Sequence, residues 1–154
     1  MHQTPVWRPD VTVAALVERD GAFLFVAERV RGELVLNQPA GHLEQHETLI
    51  EATIREAREE TRWTIRPTAL LGAYQWQSPE PGLGFLRFTF VADAIAEDLS
   101  LSLDQGIEQV LWLRRDELLQ CGIKHRSPLV LANVDDYVRG QRHGLDLCRW
   151  VVTP

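Results

Sequence analysis

Residues 41–63 read GHLEQHETLIEATIREAREETRW, and this stretch decides how the chain folds. It places Glu56, Glu59 and Glu60 three and four positions apart on a predicted helix, so their carboxylates share one face. Like charges that close disfavour each other's ionised form, and a divalent cation removes the conflict. Oxygen ligands of this kind suit Mg²⁺, which binds carboxylates together with substrate phosphates. The alternative is a solvated acidic helix face, which is the usual meaning of a charge run.

The helix is predicted to begin near Thr48, because Thr48 and Glu51 have the spacing of a capping box. Two stripes then run along it at helical spacing. The stripe predicted to face the core contains Ile50, Ile54, Ala57 and Thr61. The second stripe contains Leu49, Thr53, Glu56 and Glu60. One face of the helix would therefore pack against the sheet, while another carries the glutamate carboxylates. This arrangement is what a catalytic helix lying on a sheet requires.

The spacing of this stretch resembles the motif of the Nudix family, G-x5-E-x7-R-E-U-x-E-E-x-G-U, in which U is aliphatic. The matching residues are Gly41, Glu47, Arg55, Glu56, Glu59 and Glu60. Arg62 stands in place of the final glycine, and Ala57 and Trp63 are poor matches to the aliphatic positions. The glycine position is typical of a helix C-cap with a left-handed backbone. We therefore expect Arg62 to affect the end of the helix and not the carboxylates.

The resemblance implies a metal site. Glu56, Glu59 and Glu60 would hold Mg²⁺, for which Mn²⁺ would substitute. Glu56 or Glu59 would instead orient or deprotonate the attacking water. The backbone carbonyl of Ala40 or Gly41 would also be available to the metal.

The resemblance also implies supporting residues. Arg55 would fix a glutamate through charge-assisted hydrogen bonds, and the alternative is an ordinary surface ion pair. Glu47 would lie near Arg55 or in the outer shell of the metal. Asp104 and Glu108 are the candidates for a further acid, and their spacing does not separate them.

The histidines give no comparable signal. His42 and His46 are four apart, but they precede the helix and lie beside a site for a hard cation, so loop roles are favoured. His125 would serve proton transfer only if it lay in the site.

Further stretches resemble one phosphatase branch of the same family. They are NQPAGHLE at 37–44, QW at 75–76, FLRF at 85–88, RSPLV at 126–130 and GQR at 140–142. The resemblance covers nearly the whole chain. It implies a monomeric enzyme that removes phosphate from nucleoside tri- and diphosphates, thiamine pyrophosphate and hydroxymethylpyrimidine pyrophosphate. The alternatives are another Nudix specificity (ADP-ribose, dinucleotide polyphosphates or oxidised nucleotides) and a noncatalytic sensor, which usually lacks the motif's carboxylates.

Several residues beyond the motif are candidate substrate contacts: Trp76, Arg87, Asn37, Gln38, Arg126 and Ser127. The face of Trp76 would stack on a purine or pyrimidine ring, and burial in the core is the alternative. Arg87 lies on a predicted strand, where it would bind phosphate as a planar fork or face solvent. A turn role competes for Asn37 and a helix cap competes for Ser127.

Composition bounds the class of protein. The chain has 154 residues, of which 45% are hydrophobic, so a single domain over 1–154 with a buried core is expected. The net charge of −6 argues against nonspecific nucleic-acid binding. It is compatible with a small phosphorylated substrate, because a metal supplies positive charge. Cys121 and Cys148 are expected to be free thiols. The absence of a signal peptide or a long apolar run predicts a cytoplasmic protein that does not bind membranes.

The remaining patterns predict an α/β fold. Strands are predicted at 11–17, 22–27, 34–36, 69–76, 85–94 and 110–113, with short helices at 115–119 and 129–139. Asp20-Gly21 predicts a hairpin turn, and residues 37–41 predict a shaped loop. Strands and helices in this order suggest an α/β/α sandwich with a mixed sheet, and the Nudix resemblance implies the same architecture.

Overall fold

The computed structural model describes residues 6–153, which form one mixed sheet of eight strands with helices on both faces. The strands are β1 (Asp10–Arg19), β2 (Ala22–Val30), β3 (Glu33–Asn37), β4 (Ala40–His42), β5 (Trp63–Gln77), β6 (Gly84–Glu97), β7 (Ile107–Leu113) and β8 (Lys124–His125). The helices are α1 (Leu49–Thr61), α2 (Arg115–Gln120) and α3 (Leu129–Val138), followed by a 3₁₀ turn (Leu145–Leu147). Within these residues, no helix is both long and apolar enough to cross a membrane.

The central strand β1 makes the sheet mixed. It pairs in parallel with β6 and antiparallel with β2 and β4. Strand β5 extends the sheet beyond β6, while β3, β7 and β8 extend it beyond β2. The predicted hairpin between β1 and β2 is confirmed, since Asp20 and Gly21 have φ of 53° and 81°.

Two elements differ from the predicted ones. Strand β5 begins at Trp63 and not near residue 69, and register shifts interrupt its pairing with β6 at three places. These irregularities break the period-2 pattern from which a strand is predicted. Residues Ala40–His42, predicted as loop, form the short strand β4 against β1.

Alternating side chains of β1 and β2 build a core on each face of the sheet. Leu16 and Phe25 pack toward α3, in a cluster with Val130 and Val134. Ala15, Val17 and Leu24 belong to the opposite cluster, which includes Ala57 of α1. The sheet therefore lies between helices, and the predicted α/β/α sandwich is confirmed.

Helix α1 has the predicted ends. Thr48 is the N-cap, and both hydrogen bonds of the capping box with Glu51 are present. Arg62 ends the helix in the left-handed conformation, with φ of 66°, and donates its backbone N–H to Arg58 O at 2.8 Å. The motif's glycine position is therefore the C-cap that the sequence predicts.

The buried face of α1 is broader than predicted. Its buried residues are Ala52, Thr53, Ala57, Glu60 and Thr61. Ala57 and Thr61 pack as expected, whereas Ile50 is only half-buried. Thr53 and Glu60 of the acidic stripe are themselves buried, and Glu60 is hydrogen-bonded to the backbone of Ala40 in β4.

Candidate active site

The loop around β4 lies directly against the acidic side of α1. Glu60 is only 8% exposed, and its Oε2 accepts a hydrogen bond from the backbone N–H of Ala40 at 2.9 Å. Gly41 lies against the carboxylate of Glu56, and a Cβ at that position would overlap it. The glycine of the motif is therefore needed because the backbone and an acidic side chain approach each other closely.

Arg55 connects the acidic residues. Its Nε and Nη2 donate to the two oxygens of Glu47 at 2.9 and 2.7 Å, which is a bidentate pair. Its Nη1 donates to Glu56 Oε1 at 2.8 Å and to Glu59 Oε2 at 3.1 Å. Nη2 also donates to the carbonyl of His42 at 3.1 Å. The alternative of an ordinary surface ion pair is excluded, because one guanidinium holds helix, loop and motif acids together.

The site carries an excess of negative charge. Burial raises the pKa of Glu60 to about 9, aided by the charges of Glu56, Glu28 and Asp104 and opposed by the hydrogen bond from Ala40 N–H. Burial also raises the pKa of Glu56, although Arg55 opposes the shift. In contrast, the hydrogen bond from Arg55 lowers the pKa of Glu47. Glu47 is therefore neutralised by Arg55, while Glu56 and Glu60 are carboxylates that favour a further cation.

The donor set fits a hard divalent cation. Glu56, Glu59 and Glu60 each use one oxygen in a hydrogen bond, to Arg55 or Ala40 N–H. Within residues 6–153 the second oxygen of each makes no hydrogen bond, so it is available as a ligand. Among residues 6–153, no three or more His, Cys, Asp or Glu side chains are already arranged so that they could hold a metal ion.

The structure separates the two candidates for a further acid. Both oxygens of Glu108 bind Arg29, at 2.5 and 3.1 Å, so this side chain is engaged away from the site. The backbone N–H of Asp104 donates to Glu59 O at 3.0 Å. The charge of Asp104 also raises the pKa of Glu56 and Glu60. Asp104 therefore lies at the edge of the acidic site.

Replacement of Asp104 by asparagine is expected to lower kcat/KM, whereas replacement of Glu108 by glutamine is expected to leave it unchanged. Asp104 adds negative charge where the cation binds, and we expect a loss of about tenfold to a hundredfold, as for an outer-shell group. Steady-state kinetics at saturating and limiting Mg²⁺ test this. Equal losses in the two variants would contradict the assignment.

Glu28 is an acid that the sequence did not reveal. It lies on β2, and its charge acts on both Glu60 and Arg87. Leu24, two pleats earlier on β2, faces α1, and strand alternation places Glu28 on the same side. The sequence feature that could have revealed Glu28 is its charge at a position that alternates in register with the apolar residues facing α1.

Two cavities share part of their lining, and the inner one adjoins the loop that packs against the acidic residues. The inner one, of about 90 Å³, is lined by Ala40, Gly41 and Arg87, among others. The outer one, of about 890 Å³, lies against β3, the β5–β6 loop and the start of α3. The residues that line both cavities are Trp76, Phe85, Arg126 and Ser127. The two cavities therefore adjoin each other, and the inner one reaches the loop around β4.

Trp76 is half-buried and stacks on Phe85, with ring centroids 5.4 Å apart and an interplanar angle of 16°. The alternative of a core tryptophan is therefore excluded. Phe85 is its cross-strand partner, so the pair forms one aromatic wall. Phe85 belongs to the FLRF stretch at 85–88, but its residue type alone does not predict a substrate contact.

Arg87 is buried, with 8% exposed, so the alternative of a solvent-facing strand residue is wrong. Its Nη1 lies 3.5 Å from Oδ1 of Asn37, which is also buried. Burial lowers the pKa of Arg87 to about 10, a value at which the guanidinium remains charged at neutral pH. Arg87 and Asn37 both line the inner cavity, where the sequence predicted substrate contacts.

Gln38 is corrected from a substrate contact to a core residue. Its side chain is fully buried, lines neither cavity, and donates to the carbonyl of Val130 at 2.8 Å. Ser127 is not the N-cap of α3, because that position is held by Pro128. Its Oγ accepts a hydrogen bond from Leu129 N–H at 3.2 Å, and the residue lines both cavities.

His46 holds a loop position, as predicted, whereas His42 and His125 lie in the short strands β4 and β8. His42 Nε2 lies 3.5 Å from Asp10 Oδ2, and His46 occupies a turn with φ of 71°. The ring of His125 is within 3.3 Å of Leu118 O. None of these side chains contacts Glu56, Glu59 or Glu60 within the described residues.

Replacement of Gly41 by alanine is expected to reduce activity without unfolding the protein. The added methyl group overlaps the end of the Glu56 side chain, which moves more easily than backbone. We expect kcat to fall by about tenfold to a hundredfold, as when an outer-shell contact is lost. The melting temperature should change little. A Gly82→Ala variant, where a methyl group meets no neighbour, controls for the substitution itself, although its φ of 79° adds backbone strain.

Comparison with known proteins agrees with this geometry. Residues 7–133 match the family model described as NUDIX domain. The chain is 39% identical over 142 residues to Phosphatase NudJ of Escherichia coli (strain K12), which is 92% of each chain. The structure is similar to a NUDIX hydrolase from Nitrosomonas europaea, with a TM-score of 0.90 and 41% identity over 94% of this chain and 98% of that one. A UDP-X diphosphatase shares the fold alone, with a TM-score of 0.71 and 18% identity over 91% of this chain and 68% of that one. The chain therefore belongs to the Nudix hydrolase family.

Proposed function

We propose that this hydrolase depends on Mg²⁺, with Mn²⁺ as a substitute, and releases orthophosphate from nucleoside tri- and diphosphates. We include thiamine pyrophosphate and hydroxymethylpyrimidine pyrophosphate among its substrates. The observation that carries the proposal is the path from an aromatic wall, past Arg87 and Arg126, to the acidic loop. Its similarity to Phosphatase NudJ supports release of phosphate.

The reaction in this proposal is attack of water on a phosphoanhydride phosphorus. A new P–O bond forms to the water oxygen, and the bond from phosphorus to the bridging oxygen breaks. Glu56 or Glu59 orients the water and accepts its proton, while the bridging oxygen leaves with the rest of the substrate. A bound divalent cation supplies charge neutralisation for the phosphate oxygens and for the acidic residues. Arg55 keeps the acidic residues in position, and the cavity arginines hold the phosphate.

The outer cavity supports a range of leaving groups. Its volume of about 890 Å³ exceeds that of one heterocycle, and the Trp76–Phe85 wall presents flat aromatic faces. Stacking accepts purine and pyrimidine rings alike. The substrate is thus a small phosphorylated molecule with a planar ring.

A phosphate-release panel tests the proposal. Purified protein is incubated with ATP, ADP, thiamine pyrophosphate, hydroxymethylpyrimidine pyrophosphate and ADP-ribose, with Mg²⁺, with Mn²⁺ and with EDTA. Orthophosphate from the phosphate-terminated compounds, lost in EDTA, is the expected result. AMP from ADP-ribose as the main product would favour the alternative Nudix specificity. The absence of any hydrolysis would overturn the proposal and favour a ligand sensor.

We also propose that the protein acts as a cytoplasmic monomer, without nucleic-acid or membrane partners. The net charge of −6 supports a small-molecule partner over a nucleic acid. Light scattering coupled to size-exclusion chromatography tests the monomer, and a stable dimer would contradict it.

A further inference from the structure

Arg87 is a buried guanidinium whose hydrogen bonds are largely unmet. Its Nε is inaccessible and has no hydrogen-bond partner, and its contact with Asn37 is long, at 3.5 Å. Among the described residues, no carboxylate forms an ion pair with Arg87 or with Arg126. The charges of Glu60 and Glu28 act on Arg87, but neither carboxylate is hydrogen-bonded to it. A buried guanidinium without a hydrogen-bonded counter-ion is unfavourable, so Arg87 favours the binding of an anion.

A second unmet polar group lies beside Arg87. Thr12 of β1 is the cross-strand partner of Arg87 on β6, and its hydroxyl is buried without a partner. Both residues line the inner cavity, and Arg126 lines it from the segment before α3. Thr12 and two arginines thus line one cavity of about 90 Å³.

The inner cavity is lined by buried residues on one side and by the more accessible strand β4 on the other. The buried lining residues are Thr12, Asn37, Arg87, Ser127 and Leu129. Trp76, Phe85 and Arg126 lie where it joins the outer cavity. The inner cavity is about 90 Å³ and the outer one about 890 Å³, so a substrate that enters from the outer cavity places only a small group in the inner one.

We propose that Thr12, Arg87 and Arg126 form a subsite for the terminal, non-esterified phosphoryl group of the substrate, which excludes diesters of pyrophosphate such as ADP-ribose. The inference rests on the proposed function and deepens it by naming the substrate class. Two guanidinium groups match the two negative charges of a terminal phosphoryl group, whereas an internal phosphate carries one charge and a second substituent. The subsite adjoins Ala40 and Gly41, so the bound phosphorus lies beside the acidic loop.

Binding of inorganic phosphate tests the subsite separately from catalysis. Isothermal titration calorimetry in EDTA is applied to the wild type and to the variants Arg126→Gln, Thr12→Val and Arg87→Gln. We expect each variant to bind phosphate about tenfold more weakly or worse, the effect of losing a charge-assisted hydrogen bond. Arg66→Gln and Thr68→Val, on exposed positions of β5, should bind as the wild type does.

Kinetics with ADP and ADP-ribose supply the second measurement. With Mg²⁺, the variants should have a higher KM for ADP and, in parallel, a higher inhibition constant for phosphate. The ratio of kcat/KM for ADP to kcat/KM for ADP-ribose should be smaller than in the wild type. Arg126 is exposed, so its variant tests the subsite even if Arg87→Gln fails to fold. Wild-type protein that binds no phosphate up to about 10 mM would overturn the subsite.

The two proposals fail in different ways. If the wild type hydrolyses ADP and the variants bind phosphate as tightly as the wild type does, the subsite is overturned and the proposed function is retained. If the wild type hydrolyses none of the substrates and the variants bind phosphate more weakly than it does, only the proposed function is overturned.

Discussion

Replacement of Glu60 by glutamine is expected to abolish most of the activity and, at the same time, to stabilise the metal-free protein. Glu60 is buried beside Glu56, and its pKa is raised to about 9 by burial. Glutamine keeps an acceptor for the N–H of Ala40 but loses the charge that a cation requires. We expect kcat/KM to fall by about two to three orders of magnitude, comparable to the loss of one electrostatic stabiliser of a transition state.

The gain in stability has the same origin as the loss of activity. In the wild type without metal, an acidic group is kept in a buried site that disfavours its charge. Removing it is expected to raise the free energy of unfolding by on the order of 1–3 kcal/mol. Each kcal/mol corresponds to roughly 2–4 °C in melting temperature for a domain of this size. Thermal denaturation in EDTA measures this, and added Mg²⁺ should stabilise the wild type more than the variant.

Two further glutamates serve as controls for Glu60. The side chain of Glu59 is 43% exposed, so Glu59→Gln should lower activity without stabilising the metal-free protein. Glu108→Gln, at the pair with Arg29, should change neither property much. The assignment of Glu60 to the metal site would be wrong if Glu60→Gln kept wild-type activity at limiting Mg²⁺.

The sequence predicted the fold because its signals are local. The capping box at Thr48, the turn at Asp20-Gly21 and the left-handed position of Arg62 depend on neighbouring residues only, and all three appear in the structure. The alternating apolar residues of β1 and β2 likewise specify two packed faces. The strand β4 could not be predicted, because its pairing with β1 depends on how the loop before α1 is closed.

The site was predicted less completely, because it depends on contacts between distant segments. Spacing on one helix predicted that the three glutamates share a face, and the resemblance to the Nudix motif implied the role of Arg55. It did not show that Gln38 bonds to Val130, or that Glu108 bonds to Arg29, since both partners lie far away in sequence. Thr12 carries no motif, and only its pairing with Arg87 across two parallel strands brings it to the cavity.

Replacement of Arg55 by methionine is expected to impair both catalysis and stability, with lysine giving an intermediate result. Methionine leaves Glu47, Glu56 and Glu59 without the guanidinium that now hydrogen-bonds them. Their repulsion should displace the carboxylates, lowering kcat by about two orders of magnitude or more. Lysine keeps the charge, but its compact ammonium lacks the planar fork of a guanidinium. It cannot donate two hydrogen bonds to Glu47 and at the same time reach Glu56 and Glu59.

The matched control for Arg55 is Arg29→Met, which also removes a bidentate arginine–glutamate pair. The side chain of Arg29 is 48% exposed, against 23% for Arg55, and its partner Glu108 lies outside the site. We expect Arg29→Met to change stability by only about 0.5 kcal/mol. Arg55→Met should lower the free energy of unfolding by about 1–3 kcal/mol, because partly buried carboxylates lose their counter-ion.

The kinetic effect of Arg55→Met should fall mainly on kcat. Arg55 lines neither cavity, so KM should change less than kcat, and the Mg²⁺ concentration for half-maximal activity should rise. A lower melting temperature with unchanged kcat and Mg²⁺ requirement would make Arg55 a purely structural residue.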